Sequence, residues 1–282
     1  MNEPLVSIIS PVLNGIKYLE ISIQSVLNQS YPHIEHIFID GGSTDGTLEM
    51  LASYCARYPD RIRVISEKDN GVGEALNRGF KIAKGDIFGW LDADDVYLPD
   101  AINAVADFFV KNPSSHFLFG ESDIMNEEGQ VIRKRVVKDW SRKEAINDRH
   151  YIIICAAFYR RQVIETVGGL NQLGNDLDFW LRINEKYELN RIDTLISHWR
   201  EHQGNITMRS TPKNKLTNRH RYREDYLICR QHGGSLRSPR VRKYYMFVLL
   251  DKLGLYFAFT NYVLPVMLRH AFTKNILKIV GA

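Results

Sequence analysis

From Leu5 to about Gly120, short apolar runs rich in β-branched residues alternate with longer amphipathic stretches, the hydrophobic period changing from two to about 3.6 and back. That rhythm predicts βαβ units around a parallel sheet. Residues 6–10 are the first predicted strand, stopped by Pro11, and residues 18–28, with Leu19, Ile23, Val26 and Leu27 apolar, the first helix. Strands at 34–39, 62–65 and 87–91 and helices at 47–58 and 74–83 follow. Pro99 is expected to open a helix to Asn112, because proline suits a first helical turn. After His116 to Gly120 the rhythm changes. Residues 122–125 and 130–137, joined by Asn126-Glu127-Glu128-Gly129, read as a hairpin. Residues 151–159 read as a buried strand, 161–167 as a helix closed by Gly168-Gly169, 176–187 as another helix, and 196–200 as a short strand leading to His202.

Residues 1–205 contain no repeat, low-complexity tract or Pro/Gly/Ser-rich linker, so residues 1–208 read as one α/β domain and residues 209–282 as a basic, helical appendage. Charge sharpens that division. The chain of 282 residues carries a net charge of only +4, but residues 200–282 hold 16 basic and 4 acidic residues, hence +12, leaving −8 on the rest. An apolar fraction of 44% with 25% charged residues allows a real core and excludes disordered and collagen-like chains. Three distant cysteines, Cys55, Cys155 and Cys229, make no disulfide framework and no CxxC pair, which implies a reducing compartment. The start, Met1-Asn2-Glu3-Pro4, lacks the basic and apolar regions of a signal peptide, so a cytoplasmic location is expected. In the appendage, residues 253–268 form an uncharged run of 16 residues, about 24 Å as helix against roughly 30 Å of hydrocarbon. That is too short to span. Arg237, Arg240, Arg242 and Lys243 before it and Arg269, Lys274 and Lys278 after it suit the inner face of an anionic membrane, held peripherally. Helices packed on the domain, or on a second copy as a homo-oligomer, are the alternative.

Ligands of open α/β sheets bind at the carboxyl ends of the strands. There the sequence places Pro11-Val12-Leu13-Asn14-Gly15, Asp40-Gly41-Gly42-Ser43-Thr44-Asp45-Gly46-Thr47 and Asp92-Ala93-Asp94-Asp95. Three acids within four residues repel one another, and a bound cation is the usual remedy. Carboxylate oxygens suit Mg2+ or Mn2+, ions commonly shared with substrate phosphates. An exposed acidic turn is the plainer reading, in which Asp95 adds little packing. The glycines form neither a Gly-x-x-x-x-Gly-Lys-Ser/Thr loop nor a Gly-x-Gly-x-x-Gly fingerprint, which removes the main support for nucleotidase and dinucleotide readings.

These segments together, with Ser25-Val26-Leu27-Asn28-Gln29-Ser30-Tyr31-Pro32 and Pro99-Asp100, resemble the family 2 glycosyltransferases of the GT-A fold over roughly residues 5–205. The resemblance implies transfer of a sugar, with inversion, from a nucleoside diphosphate sugar to an acceptor hydroxyl on a saccharide or lipid-linked acceptor, assisted by Mn2+ or Mg2+. By position it implies Pro11, Val12 and Asn14 with Asp40 as the nucleoside wall, Gly71 to Asn77 beside the donor, Asp94 near the ribose and Asp95 on the metal. Asn175 to Arg182 resembles the segment whose first acid, Asp176, is the base. Asp178 is expected to be structural, as is His198. Arg200 to Thr207 resembles the closing motif, with His202 at the metal. Relatives often carry a second acid where this chain has Gly41, which puts uridine as donor base in question. A sugar nucleotidylyltransferase would want a basic, glycine-rich loop after the first strand. A nucleic-acid-binding protein would use the +12 region, and no nucleic acid is expected as partner.

Overall fold

The computed structural model describes residues 3–147, 152–171, 175–205 and 215–253. Residues Met1–Ala145 with His150–Glu201 make one compact unit, and Ile146–Arg149 with His202–Ala282 a second.

In the first unit the predicted βαβ order is observed. β1 (Val6–Val12), α1 (Ile16–Leu27), β2 (Ile34–Asp40), α2 (Thr47–Arg57), β3 (Ile62–Ser66), α3 (Val72–Ile82) and β4 (Ile87–Trp90) lay down four parallel strands in the order β3-β2-β1-β4. β1 runs through Pro11 rather than stopping before it. β4 pairs only as far as Ile9, so the missing proline N–H faces a side that β4 has already left, while Pro11 remains in register with Ile39 of β2. α3 packs so close to β1 that a Cβ on Gly79 would lie 2.4 Å from Ile9 Cγ2.

The second half of the sheet is mixed rather than parallel. β5 (Val96–Tyr97), α4 (Ala101–Lys111), β6 (Phe117–Met125), β7 (Val131–Arg133), α5 (Arg142–Asn147), β8 (Ala157–Arg160), α6 (Arg161–Val167), α7 (Asp176–Asn184) and β9 (Asn190–Arg200) extend it as β4-β8-β6-β9-β5, with β7 added to β6. β8 runs antiparallel to β4 and β6, and β9 parallel to β6. Four expectations fail here. The expected strand over 151–159 is a 3-10 turn, Ile154–Ala156, followed by β8. β9 is eleven residues long, not five. The first arm of the expected hairpin is the end of the longer β6. Pro99 does not open α4, because Asp100 beside it takes a left-handed conformation (φ 61°) and the helix begins at Ala101.

Phe80, Phe88, Phe117, Tyr159, Phe179 and Trp180 form a buried aromatic cluster under α3 and α7, several of them edge to face. Each such ring removed from water stabilises by about 1.5–3 kcal/mol. Phe179 and Trp180 thereby fix α7, and with it the residues at its start.

In the second unit, α8 (Lys215–Gln231) and α9 (Pro239–Lys252) are helical, and the Ser238 side chain caps α9 by accepting from the Val241 N–H (3.3 Å). The boundary at 208, the closing-motif residues Ile206 and Thr207, and the apolar and basic positions from 254 onward lie outside the described residues. Among the described residues no helix is long and apolar enough to cross a membrane.

Candidate functional site

The ends of β1, β2 and β4 lie side by side, and their loops are tied to one another. The Asn14 N–H donates to Ser43 Oγ (2.8 Å) and the Thr44 N–H to Asn14 Oδ1 (2.9 Å), with Asn14 itself left-handed at φ 53°. Asparagine tolerates that conformation better than most residues. The Gly41 N–H donates to the Val12 carbonyl (2.9 Å), and Asp45 accepts from the N–H of Ile16, the first residue of α1 (3.1 Å). Pro11, Val12 and Asn14 therefore form one wall with the loop after β2, Val12 buried and Asn14 exposed.

Asp40, expected as part of that wall, is fully buried. Its carboxylate accepts from the N–H groups of Gly42 and Ser43 and from the Ser66 hydroxyl (2.6 Å), so it shapes the loop from behind. The Asn77 amide donates to the Leu170 carbonyl and accepts from the Leu170 N–H (both 2.9 Å), joining α3 to the loop before α7. Gly71 begins α3 at φ 130°, a conformation that requires glycine, and its N–H donates to Asp69 Oδ1 (2.8 Å). Asp69 was not anticipated from sequence. Its Oδ2 would lie 2.8 Å from a Cβ at Gly41, so the space that a second acid would occupy in this loop is taken by Asp69.

The acid turn after β4 is the electrostatic centre of this rim. One oxygen each of Asp92, Asp94 and Asp95 lies within 4.8 Å of the others. Trp90 Nε1–H donates to Asp92 Oδ1 (2.7 Å). Asp95 is completely buried, not the exposed acid expected; its Oδ1 accepts from the Arg200 N–H (2.8 Å) and its Oδ2 has no hydrogen-bond partner within normal distance among the described residues. Arg200, also buried, donates to the carbonyls of Asp94 (2.8 Å), Asn126 (3.1 Å) and Glu127 (3.0 Å), and its guanidinium lies over the Tyr18 ring at 4.6 Å. That side chain locks the turn through backbone oxygens. Burial first, then the charges of Asp94 and Asp176, push Asp92 up to about 7 despite the Trp90 hydrogen bond. Burial, then Asp94 and Asp92, raise Asp95 well above the carboxylate range. An orphaned buried oxygen in a group of mutually repelling hard ligands fits a small divalent cation such as Mg2+ or Mn2+.

Asp176 is the first residue of α7, half-buried, and its Oδ1 accepts from the Leu177 N–H (2.8 Å). Its charge is the smallest of the influences that raise Asp92. Asn175 caps the helix by accepting from the Asp178 N–H (3.3 Å). Asp178 points inward: it is 2% exposed, paired with Arg182 Nε at 3.0 Å and with Asn171 Nδ2 at 3.0 Å. His198 lies in β9 opposite Val96, and burial lowers its pKa. His202 opens the second unit, where its N–H donates to Asn205 Oδ1 (2.5 Å) and its Nδ1 accepts from the Gly204 N–H (3.1 Å).

Residues 7–168 match the model of a family described as glycosyl transferase family 2. Among curated proteins, chondroitin synthase of Escherichia coli is 38% identical over 129 residues, 46% of this chain and 19% of that protein. A Bacillus subtilis glycosyltransferase assigned to teichuronic acid biosynthesis is 35% identical over 133 residues, 47% of this chain and 52% of its own length. The matches thus span about half or less of these relatives. Among solved structures, S. aureus TarS residues 1–349 in complex with UDP-GlcNAc superposes with a TM-score of 0.61 at 17% identity, covering 86% of this chain and 71% of that one. The mannosyltransferase PcManGT of Pyrobaculum calidifontis, in complex with GDP-Man and Mn2+, gives 0.61 at 16% identity over 98% and 81%. The fold they share is GT-A.

Proposed function

The chain belongs to glycosyl transferase family 2, and from that premise we propose that it transfers a sugar from a nucleoside diphosphate sugar to an acceptor hydroxyl, with inversion and with a divalent cation, in the synthesis of a surface polysaccharide or glycolipid. The observation that carries this reading is the acid turn after β4, in which one oxygen each of Asp92, Asp94 and Asp95 lies within 4.8 Å of the others beside the loops that end β1 and β2; Asp176, half-buried at the start of α7, is the proposed base.

Asp92 and Asp94, half-buried at the rim, would hold the cation, with Asp95 beneath them holding the turn to Arg200 and offering its unpartnered Oδ2. When bound, the cation supplies positive charge to the diphosphate leaving group. The wall from Pro11 to Asn14 with the loop after β2 shapes the nucleoside side. Asp176 serves the acceptor. A carboxylate at a helix start is kept ionised by the N-terminal dipole. It takes the proton of the acceptor hydroxyl as that oxygen bonds to the anomeric carbon. The bond from that carbon to the diphosphate oxygen breaks, and the electron pair leaves with the nucleoside diphosphate. Attack from the face opposite the leaving group gives inversion. The basic region 209–282 is proposed to rest on the cytoplasmic face of an anionic membrane.

Nucleotide sugars screened for Mg2+- or Mn2+-dependent turnover, with NMR of the product's anomeric centre, test the reading. Metal-dependent turnover with inverted configuration is expected. Retained configuration, or turnover indifferent to EDTA, would refute it.

A further inference from the structure

The β6–β7 hairpin carries a surface that the proposed chemistry leaves unused. β7 pairs with β6 alone, and all three of its residues are exposed. Residues 131–138, Val-Ile-Arg-Lys-Arg-Val-Val-Lys, hold four basic residues and no acid. Among them Val131 is 42% exposed, Ile132 52% and Val136 86%, beside exposed Arg133, Lys134 and Lys138. Basic residues on an edge strand are explained by protection against edge-to-edge pairing. Three exposed β-branched side chains among them are not, because an apolar group held in water costs free energy unless something covers it.

The segment holds these groups out by construction. The Arg135 N–H donates to Asp123 Oδ1 (2.9 Å), the Val137 side chain is buried, and the Val137 carbonyl accepts from Arg191 Nη1 (3.2 Å). Val136 is therefore fixed between two anchored neighbours, a protrusion with a defined direction.

We propose that the exposed edge of this hairpin, from Val131 to Lys138, docks on an anionic lipid bilayer. The chemistry matches such a surface in both of its layers: Lys134 and Lys138, with Arg133 that also pairs with Glu201 at 3.6 Å, meet headgroup phosphates, and Val131, Ile132 and Val136 enter the boundary between headgroups and acyl chains. An acidic polymer would satisfy the charges and offer no apolar layer to the valines. The turn of the same hairpin supplies the Asn126 and Glu127 carbonyls to Arg200, whose own contacts hold Asp94 and Asp95. Docking here therefore fixes the bearing of the acid rim relative to the membrane. The docking itself is independent of the sugar-transfer reading, and only its consequence, a rim turned toward a lipid-linked acceptor, rests on it.

The test uses the full chain with Cys55→Ser and Val136→Cys, labelled at position 136 with an environment-sensitive fluorophore; Cys155 and Cys229 are buried. Vesicles of phosphatidylcholine with phosphatidylglycerol should shift the emission to the blue, phosphatidylcholine alone should not, and added salt should weaken the response. Lys134→Glu with Lys138→Glu should raise the lipid concentration at half-signal at least about tenfold. Metal-dependent donor hydrolysis without vesicles should be unchanged in all of these variants, and circular dichroism checks their fold if no donor is turned over. A chain that floats with anionic vesicles while position 136 stays in water would place the membrane contact elsewhere and overturn the proposal. So would the absence of any vesicle response at a label placed by Ile132→Cys as well, or a response to heparin and not to vesicles.

Discussion

Two stretches of this chain share the pattern Asp-x-Asp, and the structure treats them in opposite ways. In Asp176-Leu177-Asp178 the second acid is buried against Arg182 and Asn171, and the first stands half-buried at the helix start. In Asp92-Ala93-Asp94, continued by Asp95, the buried cation of the turn, Arg200, gives its guanidinium to carbonyl oxygens, and burial first, then the neighbouring acids, push Asp92 and Asp95 upward. A paired acid is part of the frame, and buried acids raised beside other acids suit a ligand that brings positive charge. Spacing alone could not separate the two cases.

The largest effect that separates them is expected from Asp176→Asn, which keeps shape and removes proton-accepting ability. Transfer to the acceptor should fall by about 10²–10⁴, or roughly 3–5 kcal/mol of barrier, while donor affinity by calorimetry stays within about twofold. A fall of less than about fivefold would move the base elsewhere. Asp178→Ala should do the reverse. It takes the carboxylate from Arg182 and leaves that guanidinium the Val167 and Gly169 carbonyls, so a cost of about 1–3 kcal/mol of stability is expected, readable in a urea titration, with the activity of the remaining folded protein preserved. Equal stability of the variant would mean that the pair is ornamental to the fold.

A smaller effect sharpens the comparison by pH. In the metal-free chain Asp92 and Asp95 keep protons that the unfolded chain has lost above about pH 4. The turn therefore weakens the fold progressively as pH rises from there through about 7, where Asp92 ionises. On the proposed reading Mg2+ would bind the ionised form and offset that loss. The gain in melting temperature on adding Mg2+ should be larger at pH 8 than at pH 5.5 by at least about 3 °C. A gain independent of pH would detach the ion from these carboxyls.

The parallel half of the sheet was legible because its signals are local: β-branched runs, amphipathic helices and the turns between them fix β1 to β4 within a few residues, and α6 at Arg161–Val167 as expected. What escaped depends on distant partners. β5 is two residues long and exists through pairing with β9 about a hundred positions later. The length of β9 is set by its long alignment with β6, which the polar residues Asn190, Asp193 and Thr194 conceal. The burial of Asp95 follows from the Arg200 N–H, and the commitment of Asn77 from Leu170, neither of which leaves a trace nearby in the chain. Asp69 gave one faint signal, the glycine at 41 that its carboxylate requires.

Calorimetric binding of the productive nucleotide sugar, to the wild type and to Asp94→Asn, in Mn2+ and in EDTA, tests most directly whether the acid turn is the cation-dependent donor site. Binding to the wild type should require Mn2+ and should weaken at least tenfold in Asp94→Asn at unchanged melting temperature. Equal donor affinity in Mn2+ and EDTA, or in wild type and Asp94→Asn, would contradict it.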